Sequence, residues 1–133
     1  MKKFFLLVLV LAMTVNTNVY ARNTKTVPED FNTFFSKFNT DSKFQISRVI
    51  FPLKYKANNE DFELTDYTMT KEKYKVLNLN RKADEKYLKR TMLIKKNKVT
   101  LEERGLDNGI YIDYVFELKD GKWFLKTFVD QST

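Results

Sequence analysis

The chain contains no cysteine and no histidine. The first absence removes disulfides, thiol nucleophiles and thiolate zinc sites. The second removes imidazole metal ligands and Ser-His-Asp or Cys-His catalysis. An enzyme built from these residues would have to work with carboxylates, tyrosine, serine, threonine or lysine. Neither a metal nor a cofactor is expected: the acidic side chains are scattered, and Asp107-Asn108-Gly109 is too short for a calcium loop. Without disulfide staples the fold must rest on one hydrophobic core, and residues 22–133 are enough to bury one. No repeat, low-complexity tract or linker divides them, so a single domain is expected.

What is present begins with a leader. Lys2 and Lys3 form a positive start, Phe4 to Val15 an uncharged and mostly apolar core, and Val19-Tyr20-Ala21 the small or modest residues that a signal peptidase reads. This pattern predicts a cleavable signal peptide over 1–21 and export to the periplasm or out of the cell. The apolar run is too short to cross roughly 30 Å of hydrocarbon, so no transmembrane span is expected after cleavage. With no cysteine behind it, the chain cannot carry a lipoprotein-type thiol anchor.

The whole chain has 24 Lys+Arg against 17 Asp+Glu. The excess is concentrated in 81–104, where Arg81, Lys82, Lys86, Lys89, Arg90, Lys95, Lys96 and Lys98 lie close together. Two readings stand side by side: a patch for an anionic polymer or membrane surface over 81–98, or a solvated strand edge on which lysine discourages aggregation. Only Tyr87 interleaves with these charges, so base stacking finds little support and nucleic acid is not the expected partner.

Along the chain, Pro28-Glu29-Asp30 opens a helix that Thr26 can cap, followed by Phe31, Phe34, Phe35 and Phe38 at i, i+3, i+4 and i+7. That aromatic stripe calls for a large apolar surface opposite. Asn39-Thr40-Asp41-Ser42 ends the helix and caps a shorter one through Arg48. Strands are predicted over Val49–Lys56 and Phe62–Met69, then a short helix from Thr70 that carries Tyr74 and Leu77. Residues 78–86 give no clear pattern. Alternation predicts strands at Tyr87–Lys95, Val99–Arg104, Ile110–Leu118 and Trp123–Val129. Asp120-Gly121 is a two-residue hairpin signal, and Trp123, Leu125, Thr127 and Val129 should share one face. Helices followed by a strand meander argue for an α+β fold, with N-terminal helices packed on one face of a curved antiparallel sheet.

The run Glu29–Phe38, the segment Asp41–Val49 with Phe44-Gln45-Ile46-Ser47-Arg48, Phe51-Pro52-Leu53, and the ending Asp120–Leu125 with Asp130-Gln131-Ser132 resemble an uncharacterised family of small exported bacterial proteins. That family, a domain of unknown function, looks like part of the nuclear transport factor 2-like (cystatin-like) superfamily, a cone of antiparallel strands holding helices. The resemblance implies a fold and leaves the activity open, since the superfamily hosts enzymes, binding modules and transport factors.

A cone of this kind has a mouth that can form a pocket. The residues expected to line or rim it are Tyr67, Tyr74, Tyr111, Asp113, Tyr114 and Trp123, with Asp130 near the chain end. Arg48 is a further candidate, either as a clamp for a carboxylate or sugar acid or as a structural partner of Asp41 or Glu29. Trp123 could stack a sugar ring or simply pack. The first functional expectation is a non-catalytic binding module that takes a small ligand, glycan or protein at the cone mouth. An acid–base enzyme is the alternative. Ketosteroid isomerase, which shares this fold, uses an aspartate base with tyrosine and a protonated aspartate, and Asp113 or Asp130 with Tyr67 or Tyr114 would imitate it. The other reading of Asp113, which alternates with the apolar residues of its strand, is a side chain facing water. A homodimer is left open, because exposed sheet faces in this fold often pair.

Overall fold

The computed structural model of the protein describes residues 26–80 and 88–133. The expected leader, and Arg81, Lys82, Lys86 and Tyr87 of the basic stretch, lie outside the described residues.

Helix α1 spans Phe31–Thr40, and its four phenylalanines are all buried. Its cap is Asp30 and not Thr26. The Asp30 carboxylate accepts from the Thr33 backbone N–H and hydroxyl, both at 2.9 Å, satisfying a donor that the first turn leaves open. Pro28 and Glu29 precede the helix, because Glu29 is held elsewhere, as described below. Asp41 separates the helices. Its N–H donates to Lys37 O of α1, while its carboxylate caps α2 (Ser42–Ser47) through the Phe44 N–H.

Six strands follow: β1 (Val49–Asn58), β2 (Leu64–Met69), β3 (Leu88–Lys95), β4 (Lys98–Gly105), β5 (Tyr111–Lys119) and β6 (Lys122–Asp130). They form one curved, unclosed sheet in the order β2-β1-β6-β5-β4-β3. The pairs β1–β2, β3–β4, β4–β5 and β5–β6 are antiparallel, as consecutive hairpins must be. Strand β1 runs parallel to β6, so the sheet is mixed and not antiparallel throughout. Hairpin signals say nothing about a pair so distant in the chain, which is why the sequence did not show it.

The β5–β6 turn is the one Asp120-Gly121 predicts, with both residues at positive φ. The face prediction for β6 fails halfway. Thr127 pairs with Val115 but Leu125 pairs with Phe116, so Lys126 is an extra residue, a β-bulge. One inserted residue reverses the alternation, and the core face passes from Trp123 and Leu125 to Phe128.

Phe116 of β5 sits at the centre of the core. Its ring lies edge-on to Phe31, Phe34, Phe35 and Phe38, with centroids 5.5–6.0 Å apart. Leu53, Val99, Leu101 and Leu125 surround it from three strands, each at most 1% exposed.

After β2 there is a 3₁₀ turn at Lys71–Lys73 in place of the expected helix, and the chain then runs on without regular structure to Asn80, burying Leu79. The backbone there finds its partners in side chains. The Gln45 amide, fully buried, accepts from Leu77 N–H and donates to Leu77 O and Phe38 O, and Asn39 Oδ1 accepts from Leu79 N–H. Three backbone groups of the strap, Leu77 N–H and C=O and Leu79 N–H, are thus satisfied from α1 and α2 in place of helical hydrogen bonds.

Candidate functional site

The eight candidate residues separate into three groups. On the face of the sheet that carries the core, Tyr114, Phe128, Tyr55 and Tyr67 stand in register across β5, β6, β1 and β2. Neighbouring centroids in this row are 5.9, 4.7 and 5.4 Å apart. Tyr74 lies on the strap, edge-on to Phe51 at 5.4 Å, and its hydroxyl donates to Gln45 Oε1 at 2.8 Å. Burial, with the neighbouring Tyr114 adding to it, pushes the Tyr74 phenol well above its ordinary value, so it is a neutral donor and not a base. Between strap and sheet is a cavity of about 220 Å³ lined by Met69, Lys73, Tyr74, Lys75, Leu77 and Phe128. Tyr67, Tyr74 and Tyr114 are therefore brought to one side of the molecule.

Arg48 and Trp123 belong to a different assembly. The Arg48 guanidinium holds the Glu29 carboxylate with both terminal nitrogens, at 2.8 and 3.2 Å, and also donates to the Trp123 carbonyl. Trp123 returns two bonds, from its backbone N–H to the Glu29 carboxylate and from its indole N–H to the Glu29 carbonyl. The guanidinium lies 4.6 Å from the Phe44 ring centroid and 5.5 Å from that of Phe124. Burial acts to raise the Glu29 carboxyl, but the Arg48 and Trp123 hydrogen bonds and the Arg48 and Lys122 charges outweigh it, leaving the pKa lowered. Of the two roles weighed for Arg48, the structure shows the pairing with Glu29. Trp123 is a core residue, 5% exposed.

Tyr111 and Asp113 lie on the opposite face. Successive side chains on a strand point to opposite sides, so Asp113 cannot work together with Tyr114. It pairs with Arg104 Nη2 at 2.7 Å, and the Arg104 guanidinium stacks 3.6 Å over the Tyr111 ring. Asp130 does share the face of Tyr114, where one of its oxygens accepts the Ser132 backbone N–H.

Four residues important to this face were not singled out from the sequence. Tyr55 was visible as one alternating position of β1 among several. Phe128 was hidden by the bulge. Gln45 gave no signal, since nothing in a sequence marks an amide that will fasten a strap 32 residues away. Glu103, 1% exposed, forms an ion pair with Arg90 at 2.7 Å on the same face. Arg90 therefore turns away from the rest of the basic stretch.

These features define a helix-on-curved-sheet protein of the nuclear transport factor 2-like class. A protein-family model of an uncharacterised family, described only as a likeness, matches residues 29–131, and the chain belongs to that family. A nuclear transport factor 2-like protein from Bacteroides fragilis is similar at 27% identity and a TM-score of 0.60, over 80% of this chain. The present chain spans about half of that one, 48%. A cystatin-like protein from Bacteroides caccae shares the fold at 24% identity and a TM-score of 0.61, over 78% of this chain and 77% of its own. A protein from Bacteroides uniformis matches at 29% identity and a TM-score of 0.53, over 76% of each chain. No curated protein matches the chain. Among the described residues no helix is long and apolar enough to cross a membrane.

Proposed function

We propose that this protein is an exported, non-catalytic binding module whose small ligand seats in the cavity between the strap and β6, with an apolar body and an anionic head. The observation that supports this is the composition of that cavity. Met69, Tyr74, Leu77 and Phe128 provide an apolar interior, and among the described residues the only charged ones lining it, Lys73 and Lys75, are exposed at its rim. At about 220 Å³ it is smaller than the roughly 300–1,000 Å³ of drug-sized sites, so it suits a ring or a short chain end. The aromatic row from Phe128 to Tyr67 continues the surface on which a longer ligand would lie.

Binding rather than catalysis is favoured by the state of the candidate groups. Tyr74 is held neutral, Asp113 is paired on the far face, and Glu103 is paired with Arg90. Calorimetric titration with short aryl carboxylates and the matching alcohols is the test. The carboxylates are expected to bind more tightly, Lys73→Gln/Lys75→Gln to abolish the difference, and Phe128→Ala to weaken both. Equal affinity for acid and alcohol, or no heat with either, would sink the proposal.

A further inference from the structure

The β3–β4 hairpin carries an apolar surface that stands exposed among the described residues. Met92, Leu93 and Ile94 are 38%, 46% and 67% exposed at consecutive positions of the edge strand. Because neighbours on a strand face opposite ways, Leu93 lies on one side of the hairpin and Met92 and Ile94 on the other. Both sides of the tip are thus apolar. Lys95, Lys96 and Lys98 follow at once around Asn97, all exposed, and none makes an ion pair among the described residues. The register places the β5–β6 turn at this same end of the sheet: Lys98 is opposite Glu117, Leu118 N–H donates to Asn97 O, and Lys119 pairs with Lys122. Glu117 is already engaged by Lys126, which leaves Asp120 as the acidic group of the β5–β6 turn.

We infer that this hairpin tip docks edge-on to an anionic lipid surface, with Leu93 and Ile94 entering the interface and Lys95, Lys96 and Lys98 meeting the headgroups. The argument is one of paired chemistry. Lysines alone would fit any polyanion, but exposed apolar side chains on both sides of the tip gain nothing from a hydrated glycan or nucleic acid. A bilayer offers acyl chains and negative charge within a few ångströms of each other. The inference concerns a surface separate from the cavity and does not depend on it.

The test uses the full chain, whose lack of native cysteine allows one label at a chosen position. A polarity-sensitive fluorophore is placed at Asn97→Cys or, as a control at the opposite end of the sheet, at Glu60→Cys. Vesicles are phosphatidylcholine alone or mixed with phosphatidylglycerol. Since residues 4–15 are themselves apolar, sedimentation would not identify the contact, and the label does. The expected result is a blue shift at 97, absent at 60, only with the anionic vesicles, and weakening as salt rises. Leu93→Ser/Ile94→Ser should weaken the effect about tenfold or more, and Lys95→Gln/Lys96→Gln/Lys98→Gln should abolish the preference for anionic lipid. Thermal melts of both variants check that the fold is kept. No shift at 97, a shift indifferent to the Leu93/Ile94 change, or one that grows with protein concentration without vesicles would each overturn the inference. The last result would assign the tip to a second copy of the chain.

Discussion

Replacing Glu29 with glutamine tests the reading of Arg48 as a lock on the fold rather than a ligand clamp. The Glu29 carboxylate accepts three hydrogen bonds, two from Arg48 and one from the Trp123 backbone, at 2.8, 3.2 and 3.0 Å. The amide keeps the shape but turns an NH₂ group toward a guanidinium, setting donor against donor. A hydrogen bond to a charged group contributes roughly 1.5–3 kcal/mol. The pair is 13% and 24% exposed, which places it between a surface pair at about 0–1 kcal/mol and a buried one whose disruption costs about 3–5. A loss of about 2–3 kcal/mol is therefore expected, a fall in Tm of about 8–12 °C for a domain of this size. Trp123 is the only tryptophan of the chain and touches the lock directly, so its fluorescence in a urea titration is a local probe. Arg48→Met and the double variant complete a cycle, and the double should lose clearly less than the two singles added. The pH dependence follows from the same contacts. Because the folded Glu29 has a lowered pKa, its stabilisation is present above the ordinary carboxylate range and is lost as pH falls through the folded value. Glu29→Gln should lack this part of the acid limb. Single effects that add within about 0.5 kcal/mol, or an unchanged acid limb, would refute the lock.

The other predictions concern the core and the strap. Phe116→Ala removes the ring that four phenylalanines of α1 enclose and should cost about 3–5 kcal/mol, leaving little or no cooperative unfolding by calorimetry. Gln45→Leu keeps the volume but leaves the Leu77 backbone, Phe38 O and the Tyr74 hydroxyl without partners, an expected loss of about 3 kcal/mol or more. Amide exchange should rise first at Leu77 and Leu79, and unchanged protection there would show that the strap is held by other means. In an ultraviolet pH titration Tyr74 should stay protonated through the range in which exposed tyrosines ionise. The unfolded phenol releases its proton near pH 10, so stability should fall as pH rises past that point, and less so in Tyr74→Phe.

How far the sequence could be read depended on the range of the interaction. The Phe31/Phe34/Phe35/Phe38 stripe and the Asp120-Gly121 turn are local patterns, and each element appears where its pattern places it. In β2 alternation alone did not say which side would be covered, and the structure puts Tyr67 on the inner side, across from Tyr55. Errors entered where local rules are silent. Choosing Asp30 over Thr26 as the cap depended on Glu29 being drawn toward Arg48 and Trp123, contacts spanning 19 and 94 residues. One bulge at Lys126 moved Phe128 into the core. Tyr111 was grouped with Tyr114 although a strand sends them to opposite faces, whereas alternation already offered the outward reading of Asp113 that the structure shows. The role of Gln45 could not be anticipated, since its partners belong to a segment without regular structure.

The parallel pairing of β1 with β6 also bears on how the molecule comes to exist. Thr127 Oγ1 donates to Lys54 O across 73 residues, so the strand that begins the sheet waits for an inner neighbour made only after β2, β3, β4 and β5. Until β6 is available, α1, α2 and the β1–β2 hairpin have no Phe116–Leu125 wall on which to close. Folding must then be a late, concerted event rather than a stepwise one along the chain. Deleting β6 alone would leave not a slightly trimmed protein but two fragments of sheet with no common centre.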